Sequence, residues 1–393
     1  LSGEERIPLA RPVLGEREEE LVLEVLRSGI LSLGPMLPRF EADFARRLGV
    51  ADAVAVSSGT AALHLAVRSM GWGPGDDVLT TPLSFIASSN CLLFEGARPV
   101  FCDVDPATLC VDPEAVAASV GESTAGLLPV HIFGWPAAMD ELEATAAGGG
   151  IGIVEDAAEA LGTVCADGRE VGTRGNPAVF AFYPNKQMTT GEGGVLVPAG
   201  PDGAEAARSE RNQGRAPNMK FMDHDRLGFN YRLTDLQAAL GIAQLERLDD
   251  LLAGRAAVAT AYSERLRALG AAEPGAGDPE DLVLPLGDRG RERRSWFVYV
   301  VRLPAEADRD GAIAELDRRG IDARPYLPCI HLSDFYRERF GHRPGEFPVA
   351  EDFSRRSLAL PFHPGVTEAV VERVVGALAD VLGRRSGSGP GRS

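Results

Sequence analysis

Short apolar runs and helical patterns alternate along the first two-thirds of this chain, and that rhythm leaves few folds open. Runs at residues 53–56, 78–79, 99–104, 126–130, 151–154, 178–182 and 194–197 read as strands. Segments with helical spacing lie between several of them, at 61–70, 86–95 and from about 136. Such alternation predicts an α/β domain built on a large, mainly parallel sheet, with ligands collecting at the carboxyl ends of the strands. The reactive residues that follow those strand ends therefore carry the functional question.

A long amphipathic helix is expected to start at Thr234, a good N-cap, and to run past Leu251 into a second region. That region holds an expected strand at 296–303, a helix at 308–319, a short strand at 321–324 and a final helix at 367–382. The division predicted is a large domain over 1–245 with an N-terminal arm, and a small α/β domain over 246–383. A disordered tail, RRSGSGPGRS, is expected over 384–393. Residues 275–293, rich in Gly, Asp and Arg, read as an exposed loop.

A net charge of −17 argues against nucleic acid or an anionic membrane as the main partner. No run approaches 18 apolar residues, so no membrane span is expected. The first fifteen residues lack the basic start and apolar centre of a signal peptide, and a start at Leu1 suggests processing or trimming. Five dispersed cysteines without a CxxC pair, and six dispersed histidines, suggest neither a zinc site nor a disulfide framework. A cytoplasmic protein is expected.

Among 40 basic residues only Lys186 and Lys220 are lysines. A chain that uses Arg wherever a positive charge suffices keeps Lys where an amine must lose its proton, which guanidinium does not do. Lys186 follows an apolar strand and a Pro turn in FAFYPNKQMTTGEGG, so it is held on a loop. Desolvation there, beside a cationic cofactor, would favour the free amine that attacks a carbonyl.

Three earlier features join it. Ser57-Ser58-Gly59-Thr60-Ala61 puts small hydroxyl residues and a glycine at a helix start, which suits either a phosphate or a plain N-cap. Asp156 follows the strand at 151–154, where it suits either a protonated ring nitrogen or a helix cap. Phe85 suits either a stacking face for a planar cofactor or the core. In chain order, a phosphate corner, an aromatic, a strand-end Asp and a loop Lys form the parts list for pyridoxal 5′-phosphate chemistry.

Over nearly its whole length the sequence resembles the DegT/DnrJ/EryC1/StrS aminotransferases, pyridoxal phosphate enzymes of fold type I. The resemblance rests on SGILSLGPMLPRFE, VSSGTAALHLAV, DDVLTTPLSFIASSN, GARPVFCDVDP, VEDAAEALG, FAFYPNKQMTTGEGG and LGFNYRLTDLQAALGIAQLERL. It implies that Lys186 anchors the cofactor and serves as catalytic acid and base. Asp156 is implied at the ring nitrogen, Phe85 against the ring, and Ser58, Gly59 and Thr60 at the phosphate. Asn230 is implied to reach the partner subunit's phosphate, making the active unit a homodimer with shared active sites. Glu159, near the cofactor's 3-oxygen, points to the perosamine-synthase-like branch, which aminates a GDP-linked 4-keto-6-deoxy sugar. Tyr183, Arg215, Tyr326 and His331 are expected at the substrate, with Arg232 and Arg324 as further candidates for its phosphates.

The implied reaction passes an amino group from L-glutamate to a nucleotide-linked keto sugar. The resemblance also covers an aminocyclitol acceptor, a non-catalytic regulator and sugar dehydratases, although the dehydratases carry His in place of the lysine. Two residues depart from the family pattern. Ala181 stands where many members place a phosphate-binding Ser, a contact that Ser58 or Ser84 would have to supply, and Gln187 follows the lysine. His64, His131 and His363 are expected to be structural.

Overall fold

The computed structural model describes residues 6–216, 223–275 and 280–383. The expected tail, part of the expected 275–293 loop and Lys220 lie outside the described residues. The helices are α1 (Glu16–Ser28), α2 (Met36–Leu48), α3 (Gly59–Ser69), α4 (Ala87–Glu95), α5 (Pro113–Ser119), α6 (Met139–Gly149) and α7 (Pro201–Glu210). They continue as α8 (Asp235–Glu246), α9 (Leu248–Ala268), α10 (Arg309–Arg318), α11 (Asp334–Phe340), α12 (Pro348–Arg356) and α13 (Glu368–Val381). The strands are β1 (Val54–Val56), β2 (Asp77–Thr80), β3 (Arg98–Phe101), β4 (Thr124–Leu128), β5 (Gly152–Ile153), β6 (Glu155–Asp156), β7 (Ala178–Ala181), β8 (Gly194–Val197), β9 (Tyr299–Arg302) and β10 (Ser357–Leu360).

Two four-stranded sheets run β3-β2-β4-β5 and β6-β7-β8-β1. A parallel bridge between Val130 and Asp156 stitches them into one surface across the short break at Val154. Pairing is parallel from β3 to β7, and β8 alone runs antiparallel to both its neighbours. Because β8 is reversed, β1, β6 and β7 point the same way. Their carboxyl ends at Val56, Asp156 and Ala181 thus share one edge of the sheet.

The near-continuous apolar strands are what a sheet covered on both faces requires. Phe40 and Phe44 of α2 meet Phe180 and Phe182 edge-on, with ring centroids 5.4 to 5.8 Å apart. Burial of each such ring contributes about 2–3 kcal/mol. Asp235, fully buried at the start of α8, accepts hydrogen bonds from the Gly34 (2.7 Å) and Met36 (2.8 Å) amides, fixing the α1–α2 turn.

A second core lies around β9 and β10, an antiparallel pair, with α9, α10 and α13. Tyr262 stacks on Tyr299 at 4.9 Å, and Trp296 on Tyr299 at 5.7 Å. The N-terminal segment reaches this core, since Ile7 exchanges backbone hydrogen bonds with Gly320 and Asp322.

Three sequence expectations are corrected. The helix from Thr234 is two helices, because Arg247 leaves helical geometry (φ −121°) between them. Residues 321–324 form only isolated bridges, of Ile321 to Ile7 and Arg324 to Ala359, because the segment is shared between two different neighbours. The helix expected from 136 begins at Met139, after a bend through Trp135–Ala138. Thr234 does cap α8, through a reciprocal box with Gln237.

Candidate active site

A cleft of about 510 Å³ opens at the shared carboxyl edge of β1, β6 and β7, and the second region closes it through Phe297, Tyr326 and Leu327. Its floor is the corner where β1 turns into α3. Ser58 is extended there and its Oγ accepts the Ala61 amide at 3.1 Å, so its hydroxyl serves as an N-cap. Helix geometry leaves the N–H groups of Gly59 and Thr60 without intrahelical acceptors. A Cβ on Gly59 would sit 2.6 Å from the Ala181 Cβ, and one on Gly194 would sit 2.7 Å from the Ser58 carbonyl. Only glycines let β7 and β8 approach this corner so closely.

Asp156 ends β6 inside the protein. Its Oδ2 accepts from Ser88 Oγ at 2.7 Å and its Oδ1 from the Ala158 amide at 3.1 Å. Ser88 Oγ lies 2.7 Å from Ser84 Oγ, so with Ser88 donating to the acid, Ser84 donates to Ser88. Burial holds the Asp156 carboxyl above the usual carboxylate range, opposed in part by these donors. His131 lies behind it, with Nε2 3.3 Å from Glu155 and Nδ1 accepting the Ala137 amide.

Lys186 Nζ reaches into the cleft from the loop after β7. It lies 3.3 Å from Glu159 Oε1 and 4.0 Å from the centroid of the Phe297 ring. The other Glu159 oxygen accepts the Phe133 amide at 2.9 Å. Burial raises the Glu159 carboxyl, and the nearby lysine opposes the shift. Gln187 turns the opposite way, donating to the Glu159 carbonyl and to Ser295 Oγ. An amine, two buried acids and a helix start thus face one small volume, an arrangement able to hold an anionic heterocycle and move a proton beside it.

Of the expected residues, Ser58, Gly59, Thr60, Phe85, Asp156, Glu159, Tyr183, Lys186 and Tyr326 all line the cleft. Phe85 and Tyr183 stand at its rim, 60% and 53% exposed. Three do not line it. Asn230 is exposed and bridges Asn212. Arg215 bridges His224 through its backbone. His331 is buried away from the cleft, 3.1 Å from Glu351 and packed on Phe347, because its 3₁₀ turn belongs to a satellite core with Phe101 and Tyr336. Arg232 is held by Asn212 and Gln213, and Arg324 is exposed. Ser84, considered for the phosphate, is tied instead to the Asp156 end.

Sequence reasoning missed Ser88, Phe297 and Arg255, whose side chain binds the carbonyls of Asn185 and Lys186. Arg255 alone carried a signal, an arginine in the apolar stripe of a helix.

A family model described as the DegT/DnrJ/EryC1/StrS aminotransferase family matches residues 12–379. The chain belongs to that family. This aminotransferase is 38% identical over 380 residues to the GDP-perosamine synthase of Caulobacter vibrioides, covering 96% of this chain and 98% of that protein. It is 34% identical over 390 residues to the spore coat polysaccharide biosynthesis protein SpsC of Bacillus subtilis, covering 96% and 97%. The aminotransferase also superposes on the structure of S. venezuelae DesV with a TM-score of 0.87 at 34% identity, covering 97% of this chain and all of that one. Its fold is the type I architecture expected from the sequence.

Proposed function

We propose that this aminotransferase uses pyridoxal 5′-phosphate to move an amino group from L-glutamate to a nucleotide-linked keto sugar. Glutamate leaves as 2-oxoglutarate and the sugar ketone becomes an amine. The observation that carries the reading is the convergence of Lys186, Asp156 and the α3 N-terminus on one cleft. The sugar acceptor draws support from the relatives named for perosamine synthesis and coat polysaccharide.

The residues present fit the cofactor. The free N–H groups at Gly59 and Thr60, with no Cβ at Gly59, suit its phosphate. A buried carboxylate oriented by Ser88 and Ala158 suits a protonated ring nitrogen. When bound, pyridoxal phosphate supplies an aldehyde that condenses with amines and a cationic ring that accepts electrons. Asp156 Oδ2, fixed by Ser88, would keep that ring protonated. Lys186 Nζ would hold the aldehyde and carry a proton between carbon centres, and Glu159 would orient that Nζ. Phe85 and Tyr183 would cover the ring and substrate at the rim.

The working unit in this reading is a homodimer with shared active sites. Asn230 is exposed and does not line its own cleft, which leaves it free to serve a second copy. Exposed Leu23, Leu26, Ile30, Leu31 and Leu33 give α1 and the turn after it an apolar surface for that copy. No helix among the described residues is long and apolar enough to cross a membrane. A cytoplasmic site suits the five buried free cysteines.

The test is the visible spectrum of the chain loaded with pyridoxal phosphate, before and after L-glutamate, in wild type and Lys186→Ala. The expected outcome is a wild-type band shifted from that of free pyridoxal phosphate and bleached by glutamate, and in the variant neither that shift nor turnover. Full turnover by Lys186→Ala would overturn the reading.

A further inference from the structure

Arg255 occupies a position where a helix normally keeps an apolar side chain. It lies in the buried stripe of α9 with Leu251 and Val258, and it is 3% exposed. All its hydrogen-bond partners among the described residues are main-chain carbonyls. One guanidinium nitrogen donates to Phe297 at 3.1 Å, and another donates to Asn185 at 3.2 Å and to Lys186. Its Nε is buried without a partner. Burial alone brings this guanidinium down to about 10, with no carboxylate to hold it up. A buried cation without a carboxylate partner is costly, and a leucine would continue the stripe with less strain on stability. The charge and the fork must therefore do something that packing does not.

We propose that Arg255 is a positioning residue for Lys186: its guanidinium ties the Asn185–Lys186 backbone to the Phe297 carbonyl, and so holds the lysine against the Phe297 ring. The fork has the reach for this, because its rigid donors span two chain segments at once, whereas an ammonium is a single point. Its place on α9 adds a second consequence. Leu248 and Leu251 pack in the first core, while Val258 and Tyr262 pack in the second. Arg255 sits where the helix passes between them, so a shift of α9 that accompanies movement of the second core is delivered through one side chain to the lysine backbone and to Phe297, which packs in the first. The inference rests on the reading of Lys186 as the reacting amine.

With only two lysines in the chain, the test can be made by amine labelling. Full-length protein freed of cofactor is treated with limiting acetic anhydride, and the acetylation of Lys186 relative to Lys220 is read by peptide mass spectrometry. Arg255→Gln and Arg255→Lys are both expected to raise the Lys186 to Lys220 ratio several-fold, because neither side chain bridges the two segments. In loaded enzyme both are expected to lower kcat by about 10²-fold with little change in KM for glutamate. An unchanged ratio in both variants would overturn the proposal, and so would a wild-type ratio in Arg255→Lys, which would mean that charge alone suffices. Should Arg255→Gln fail to fold by circular dichroism, Arg255→Lys decides. Turnover by Lys186→Ala would sink the functional reading instead, and the labelling ratio does not depend on that result.

Discussion

Gly59 and Ala181 touch across the floor of the cleft, where a methyl group on the glycine would come within 2.6 Å of the alanine Cβ. Gly59→Ala is therefore expected to destabilise the protein by about 1–3 kcal/mol, the range for overpacking a tight contact. It should also weaken cofactor binding by pushing the helix start out of place. The pair Gly59→Ala with Ala181→Gly returns the space and should recover most of the stability in urea unfolding. If the double variant is no more stable than the single one, the contact is not the cause.

Ala181 also carries a test of the departure from the family pattern. A hydroxyl restored by Ala181→Ser would reach the same corner. One added hydrogen bond, at about 0.5–1.5 kcal/mol, should tighten pyridoxal phosphate binding several-fold in equilibrium dialysis. Weaker binding would mean that the corner has no room for a further donor.

The buried acids predict a pH dependence of the cofactor-free chain. Burial raises Asp156 and Glu159 in the native state, so native protein holds their protons to higher pH than unfolded protein does. Their contribution to stability is thus most favourable at low pH and falls as pH rises through the raised native values. Asp156→Asn removes one of the two. Its cofactor-free melting temperature at neutral pH should exceed wild type by about 2–4 °C, with a shallower fall as pH rises. Turnover should drop by about 10²-fold or more, since a neutral amide does not hold a cationic ring. Parallel pH profiles for variant and wild type would refute the assignment of burial as the cause.

His331 gives the opposite pattern. It is buried against Phe347 and 3.1 Å from Glu351. His331→Ala should cost about 1–3 kcal/mol of stability and leave KM for both substrates unchanged within about threefold. A large KM change without loss of stability would return the residue to the substrate site.

Much of the sheet was legible because strands buried on both faces announce themselves as apolar runs, and Asp156 and Lys186 because they follow such runs directly. Residues 16–28 were harder to read as a helix. They lie ahead of the strand–helix alternation that defines the sheet, although their amphipathic stripe is marked, with Leu21 and Val25 its buried apolar members. Ser88 and Phe297 enter the cleft, and Arg255 reaches the lysine loop behind it, only through tertiary packing. Phe297 is 111 positions beyond the lysine it supports, and no local pattern encodes that meeting. His331 was hard to place for the converse reason. A histidine in a Pro-rich loop reads as a site residue, while the aromatic shell that claims it comes from β3 and from the segment after α11.

Asp156 and Glu159 end inside the protein facing the same small volume, and Lys186, 3.3 Å from Glu159, is one amine against two acids until a further cation arrives. The cofactor-free chain is then the form most exposed to unfolding and to proteases, and whatever supplies the cation also lengthens the protein's life. Under the function proposed above that supply is pyridoxal phosphate, and the amount of folded protein would follow the cofactor available to it.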